Sequence, residues 1–192
     1  MGTSPPTSQD YFVENNFLET YRSDSSWQKK ISLYRDILKT PILELNDPNH
    51  ISASEKYLIS HRLKNTNMVV YRFNNINTDK RAAIKSFALN LGLGKAKNHM
   101  HSDDDGLAEL KTKNDLALRG FIPYSDKKLN WHTDGYYYPE NNMVKTMLLH
   151  CVQPALSGGE IQAIDHEILF GILYRLKPLL ALALTQKDTM TI

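Results

Sequence analysis

The 192-residue chain contains a single cysteine, Cys151, so no disulfide can close within it. A lone thiol in an apolar run fits a reducing compartment. Long hydrophobic runs are also missing, and nothing approaches the roughly 20 apolar residues needed to cross a bilayer. The start of the chain lacks the basic-then-apolar pattern of a secretory signal. It begins Met1-Gly2, but Pro6 stands where an acylation signal carries serine or threonine. Neither sign of charge dominates: 23 Lys and Arg stand against 21 Asp and Glu. No basic block is present of the kind a nucleic-acid surface needs. These absences predict a soluble, cytoplasmic protein with neither a membrane nor a nucleic acid as partner.

What remains has the size of one domain with enough apolar residues for a core. Residues 1–24 are polar, with Pro5-Pro6, and are expected to be poorly ordered. Residues 25–192 are expected to form the domain, without internal repeats. Trp27, Ile31, Tyr34 and Leu38 recur at helical spacing behind Ser25 or Ser26 as caps, and Pro41 ends the run. Ser52-x-x-Glu55 is a capping box opening a second helix. Met68–Phe73 reads as a buried strand. Thr78 or Asp79 opens a third helix, with Ala83, Ile84, Phe87, Ala88 and Leu91 inward and Gly92 and Gly94 at its end.

After Gly120 the pattern changes to short strands and turns. Phe121-Ile122, Lys128–His132, Val144–Val152 and Glu160–Asp165 are predicted strands. Tyr138–Asn142 is a loop and Ser157-Gly158-Gly159 a tight turn. His166–Arg175 reads as a helix, and Pro178 starts another through Leu184. The fold class is therefore α+β.

The chemistry concentrates in Trp131-His132-Thr133-Asp134-Gly135-Tyr136-Tyr137. On an extended backbone, residues two apart project from one face. One imidazole nitrogen of His132 and one carboxylate oxygen of Asp134 can then reach a single metal ion. Such a pair is two-thirds of the 2-His-1-carboxylate facial triad of non-haem Fe(II) sites. The same residues also suit a surface turn in which Asp134 accepts a backbone N–H ahead of Gly135. Trp131, on the opposite face, is expected to pack within the sheet. Tyr136 and Tyr137 are candidates to line a substrate pocket.

Four further features follow in order: the apolar strand Met147–Val152, the turn Ser157–Glu160, a short strand ending at Asp165, and an amphipathic segment to Arg175. Together with the His132 motif, they resemble the taurine dioxygenase-like (TauD/TfdA) family of Fe(II)- and 2-oxoglutarate-dependent oxygenases. The resemblance implies a double-stranded β-helix (jelly roll), here partial, with N-terminal helices packed on it. It implies His132 and Asp134 as ligands of Fe(II), with 2-oxoglutarate as co-substrate and O2 as oxidant. The implied reaction couples decarboxylation of the co-substrate to succinate and CO2 with hydroxylation of a small molecule, often carboxylated or sulfonated.

Members of that family add a distal histidine ligand and an arginine that clamps the co-substrate, and no later residue here matches either. The only later histidines, His150 and His166, fall in segments that are not ligands in the family, and Arg175 lies in a helix. Ile161 stands where some relatives place a threonine for the co-substrate. The ending Asp188–Ile192 reads as the beginning of a strand, which predicts an oxygenase domain lacking its C-terminal part. The alternative is a non-catalytic remnant acting as a binding or interaction protein. Either form would expose sheet edges, which predicts self-association into a homo-oligomer. A second cluster, His99-Met100-His101-Ser102-Asp103-Asp104-Asp105, reads as a polar loop or an opportunistic site for a divalent ion.

Overall fold

The computed structural model describes residues 21, 23–74, 79–93, 106–112, 122–186 and 189. The expectations for most of residues 1–24, the His99–Asp105 cluster, Thr78, Gly94, Phe121, Asp188 and residues 190–192 lie outside them. Two compact units divide the chain: Met1–Ile76 with Gln153–Ile192, and Asn77–Val152. Helix and sheet both occur, so the expected mixture of the two stands. No described helix is long and apolar enough to cross a membrane.

The first unit opens with helix α1, Asp24–Lys39. Its cap is Ser23, whose side chain accepts from the Ser26 N–H, rather than Ser25 or Ser26. The helix starts two or three residues earlier than predicted: the serine preceding the acidic Asp24 holds the extended backbone that a cap requires. Trp27, Ile31 and Tyr34 are half-buried, but Leu38 is exposed. After Pro41 comes strand β1, Ile42–Leu45, which pairs in parallel with β2, Val70–Phe73. The register sets Leu43 beside Tyr71 and Leu45 beside Phe73, so Leu43, Leu45 and Phe73 are buried while Glu44 and Arg72 pair on the outer face. β2 is two residues shorter than predicted, and only Phe73 in it is buried.

Parallel strands need a crossover, and helix α2, Ala53–Thr66, supplies it. The capping box is complete: Ser52 Oγ accepts from Glu55 N, and Glu55 Oε2 accepts from Ser52 N at 2.9 Å. Buried Glu55 also accepts from Asn46 N at 2.9 Å, tying the end of β1 to the start of α2. Burial pushes its carboxyl up, but these hydrogen bonds and nearby His50 outweigh it and hold it below the usual range. Asn67 ends α2 in the left-handed conformation, φ 56°.

Asp165 caps helix α4, His166–Leu176, and Lys177 then leads into α5, Pro178–Leu184. Asp165 is the polar centre of this unit, its side chain fully buried. It accepts from the Tyr34 hydroxyl on α1, from Asn67 Nδ2 at 3.2 Å and from Glu167 N at 2.7 Å. Lys30 Nζ lies 3.4 Å away and also pairs with Glu167. Burial pushes the Asp165 carboxyl up, but these donors outweigh it and hold it below the ordinary carboxylate range. One side chain thus joins α1, the end of α2 and the start of α4. Gly171 permits the close approach: a β-carbon there would stand 2.9 Å from Trp27 Cη2 and from Tyr21 Cδ1.

The second unit contains helix α3, Lys80–Asn90, capped by Asp79. Ala83, Ile84 and Phe87 are buried as predicted, while Ala88 and Leu91 are half-buried. Gly92, at φ 75°, turns the chain at its end. Short 3-10 turns follow at Ile122–Tyr124 and Glu140–Asn142.

The predicted strands at 128–132, 144–152 and 160–165 carry no ladder, and Ile122 starts a 3-10 turn instead. Alternating apolar residues make a segment willing to pair, but a strand exists only where a second backbone arrives to take its N–H and C=O groups. Among the described residues none does, and Val144, Met147, Leu149 and Val152 stay exposed. Trp131 is likewise 67% exposed rather than packed in a sheet.

Candidate functional site

His132 and Asp134 lie in the second unit, in the loop between the two 3-10 turns. The first of those turns ends in a bend fixed by Ser125, whose Oγ donates to Ile122 O and accepts from Lys127 N. Asp134 begins a turn running to Tyr137, closed by Tyr138 N donating to Gly135 O at 3.0 Å.

The imidazole is fixed by its own backbone, since His132 Nδ1 lies 2.7 Å from Asn130 O. A carbonyl oxygen only accepts, so Nδ1 donates to it and Nε2 is the ring nitrogen left for another partner. That nitrogen faces Asp134 Oδ1 at 3.5 Å. Two donors at right angles on an ion about 2.1 Å from each stand about 3 Å apart, so the observed gap is nearly that of a shared ion. Both side chains are open to water, at 41% and 50% exposure. The donor set therefore fits a divalent cation that keeps several other positions for water or small ligands. Spacing of two residues did bring the pair together, but through a turn rather than the pleat of a strand.

Among the described residues no third donor joins them: no group of three His, Cys, Asp or Glu side chains gathers to hold a metal. His150 is half-buried in the same unit, and burial, with the charge of Lys80, holds its imidazole below the ordinary histidine range. His166 is the exposed first residue of α4. Arg175 donates to Asp24 at 2.6 Å and lies over the Trp27 ring, so it serves the first unit's surface.

Tyr136 and Tyr137 follow Asp134 directly and are both exposed. Their rings meet edge to face at 5.3 Å, and Tyr137 leans on Tyr138 at 4.8 Å. Slight burial, the neighbouring Tyr138 and the Asp134 carboxylate raise the Tyr137 hydroxyl above its ordinary value. The three rings make a continuous aromatic surface beside the carboxylate.

Sequence reasoning missed the Asn130 carbonyl, because a backbone acceptor has no side-chain signature. Gly158 and Gly159 both take positive φ, as the predicted turn requires. Comparison of the chain with family models, curated proteins and solved structures returns no match.

Proposed function

We propose that His132 and Asp134 furnish two protein ligands of a non-haem Fe(II) centre in an oxygenase of the taurine dioxygenase-like type. Its substrates would be a small molecule, 2-oxoglutarate and O2. The single observation that carries this reading is the geometry: His132 Nδ1 lies 2.7 Å from the Asn130 carbonyl oxygen, and Nε2 faces Asp134 Oδ1 at 3.5 Å. Metal-bound histidines are held by this kind of outer hydrogen bond, which fixes ring orientation and raises the basicity of the free nitrogen.

On this reading His132 and Asp134 bind the ion on one side, and the Tyr136 and Tyr137 rings shield its approach and orient the substrate. When bound, iron would supply the redox chemistry that couples co-substrate decarboxylation to hydroxylation. The third protein donor and the arginine fork for the co-substrate come from outside the described residues. The jelly roll belongs to the same proposal. Its strands would be the unpaired segments at 128–132, 144–152 and 160–165, whose exposed apolar side chains support pairing with a further backbone.

A second reading, a non-catalytic binding or interaction protein with the same ancestry, is favoured by the lack of a three-donor group among the described residues. Anaerobic addition of Fe(II) and 2-oxoglutarate separates the two. An assembled centre gives a visible metal-to-ligand charge-transfer band that Asp134→Ala abolishes. Absence of the band argues against an assembled centre and favours the non-catalytic reading. A band that survives Asp134→Ala refutes the ligand assignment.

A further inference from the structure

We infer that Gly135 is the positioning residue of the His132–Asp134 pair, its seat against Val144 setting the turn that holds the carboxylate opposite the imidazole. The inference rests on reading that pair as a metal site and adds the device that spaces it.

No ladder fixes this loop, so the backbone of Asp134 takes its direction from the turn that it begins. Gly135 adopts φ 70°, a conformation that side chains with a β-carbon resist. Its carbonyl accepts from Tyr138 N, closing the turn. Its bare Cα is also in close contact: a β-carbon would fall inside the envelope of Val144 Cγ2, 3.2 Å from Val144 Cβ and 3.0 Å from Tyr138 Cδ2. Gly92 and Gly158 also have positive φ, at 75° and 70°, yet a β-carbon at either would meet nothing within 4 Å. Gly135 alone of these three combines the left-handed backbone with a neighbour pressed onto it.

A side chain at 135 presses on Val144 and Tyr138; where they hold their place the turn must shift or φ must turn negative, and either change moves the peptide joining residues 134 and 135. The carboxylate of Asp134 moves with that peptide, while His132 stays tethered to Asn130. Metal–ligand distances tolerate only about ±0.2 Å, so small rotations there are felt at the ion.

The test uses Co(II) alone, with binding read from the quenching of tryptophan fluorescence that is lost in a Trp131→Phe background, and folding checked by far-ultraviolet circular dichroism. Asparagine tolerates positive φ but brings a β-carbon, so Gly135→Asn isolates the contact with Val144. It should weaken Co(II) binding by about 10- to 100-fold, the range commanded by residues that orient metal ligands. Adding Val144→Ala opens the seat and should restore most of the loss, a rescue that general destabilisation would not give. Gly158→Ala, with positive φ and open space, should bind as the native protein does. Should Gly135→Asn not fold, Val144→Leu presses the same turn from the other side and should weaken binding likewise.

Native affinity in Gly135→Asn, or no rescue in the double variant, overturns the positioning role provided that His132→Ala still binds weakly. Where Gly135→Asn does not fold, native affinity in Val144→Leu overturns it on the same condition. A native protein that does not bind Co(II), or a His132→Ala variant that binds as tightly, overturns the metal reading itself.

Discussion

Replacing Asp165 by alanine removes four contacts at once, and the structure gives the magnitude. The variant removes the α4 cap, in which Asp165 Oδ1 accepts from Glu167 N at 2.7 Å, a loss worth about 1 kcal/mol. It also removes the hydrogen bond from the Asn67 amide to the carboxylate at 3.2 Å; a bond to a charged group contributes about 1.5–3 kcal/mol, and exposed Asn67 belongs at the lower figure. Two partners are spared. Tyr34 keeps its hydrogen bond to Thr66 O at 2.8 Å, and Lys30 keeps Glu167. The loss should therefore sit near the lower end of what breaking a buried ionic network costs, about 3 kcal/mol. Urea denaturation measures it directly. With slopes of about 1–3 kcal/mol per molar, the midpoint should fall by about 1–3 M at unchanged slope.

Asp165→Asn keeps a carbonyl for the cap and should lose about 1–2 kcal/mol at neutral pH. Because the folded-state carboxyl of Asp165 is held below its ordinary value, its contribution is complete above about pH 4 and disappears as pH falls through the folded value. The gap between the native protein and Asp165→Asn should close over that acid range. A loss below about 1 kcal/mol for Asp165→Ala would refute the claim that this carboxylate joins the three helices.

Two further outcomes concern the same unit. Gly171→Ala forces a methyl group against Trp27 and Tyr21, so it should destabilise by about 1–3 kcal/mol in the same urea assay, and an unchanged midpoint would contradict the close approach of α1 and α4. Burial, helped by the charges of Glu167 and Asp165, pushes the Tyr21 hydroxyl up to about 12, and burial does the same to Tyr71. These groups stabilise the fold fully below the ordinary tyrosine value of about 10 and lose that contribution as pH rises through 12. Tyrosinate absorbance should therefore rise in two steps, the later one coinciding with loss of helix. A single step at the ordinary value would rule the burial out.

Local signals were legible in the sequence wherever one element carried them. Ser52 and Glu55 form the capping box that their spacing announces, Ala83, Ile84 and Phe87 form the buried stripe of α3, and Pro178 starts α5. β1 was missed because Ile42–Leu45 is four residues long directly after Pro41, too short for its period to register. After residue 128 the apolar pattern predicts strands that the structure does not form, because pairing depends on a second backbone that no local pattern can specify. Asp165 shows the same limit. Its place before a helix marks it as a cap, but its partner Tyr34 lies 131 residues away, on a helix face chosen by packing. At the candidate site, proximity of His132 to Asp134 followed from their spacing, whereas the orienting carbonyl of Asn130 and the seat of Gly135 on Val144 required coordinates.

The central claim is that these two side chains serve one ion. Equilibrium Fe(II) binding under argon, measured for the native protein, His132→Ala, Asp134→Ala and the double variant, tests it most directly. Groups that act on one centre are strongly non-additive, so each single variant should lose at least about tenfold in affinity and the double variant little more than the worse single. Losses that simply add, or single variants that bind as the native protein does, would contradict the account.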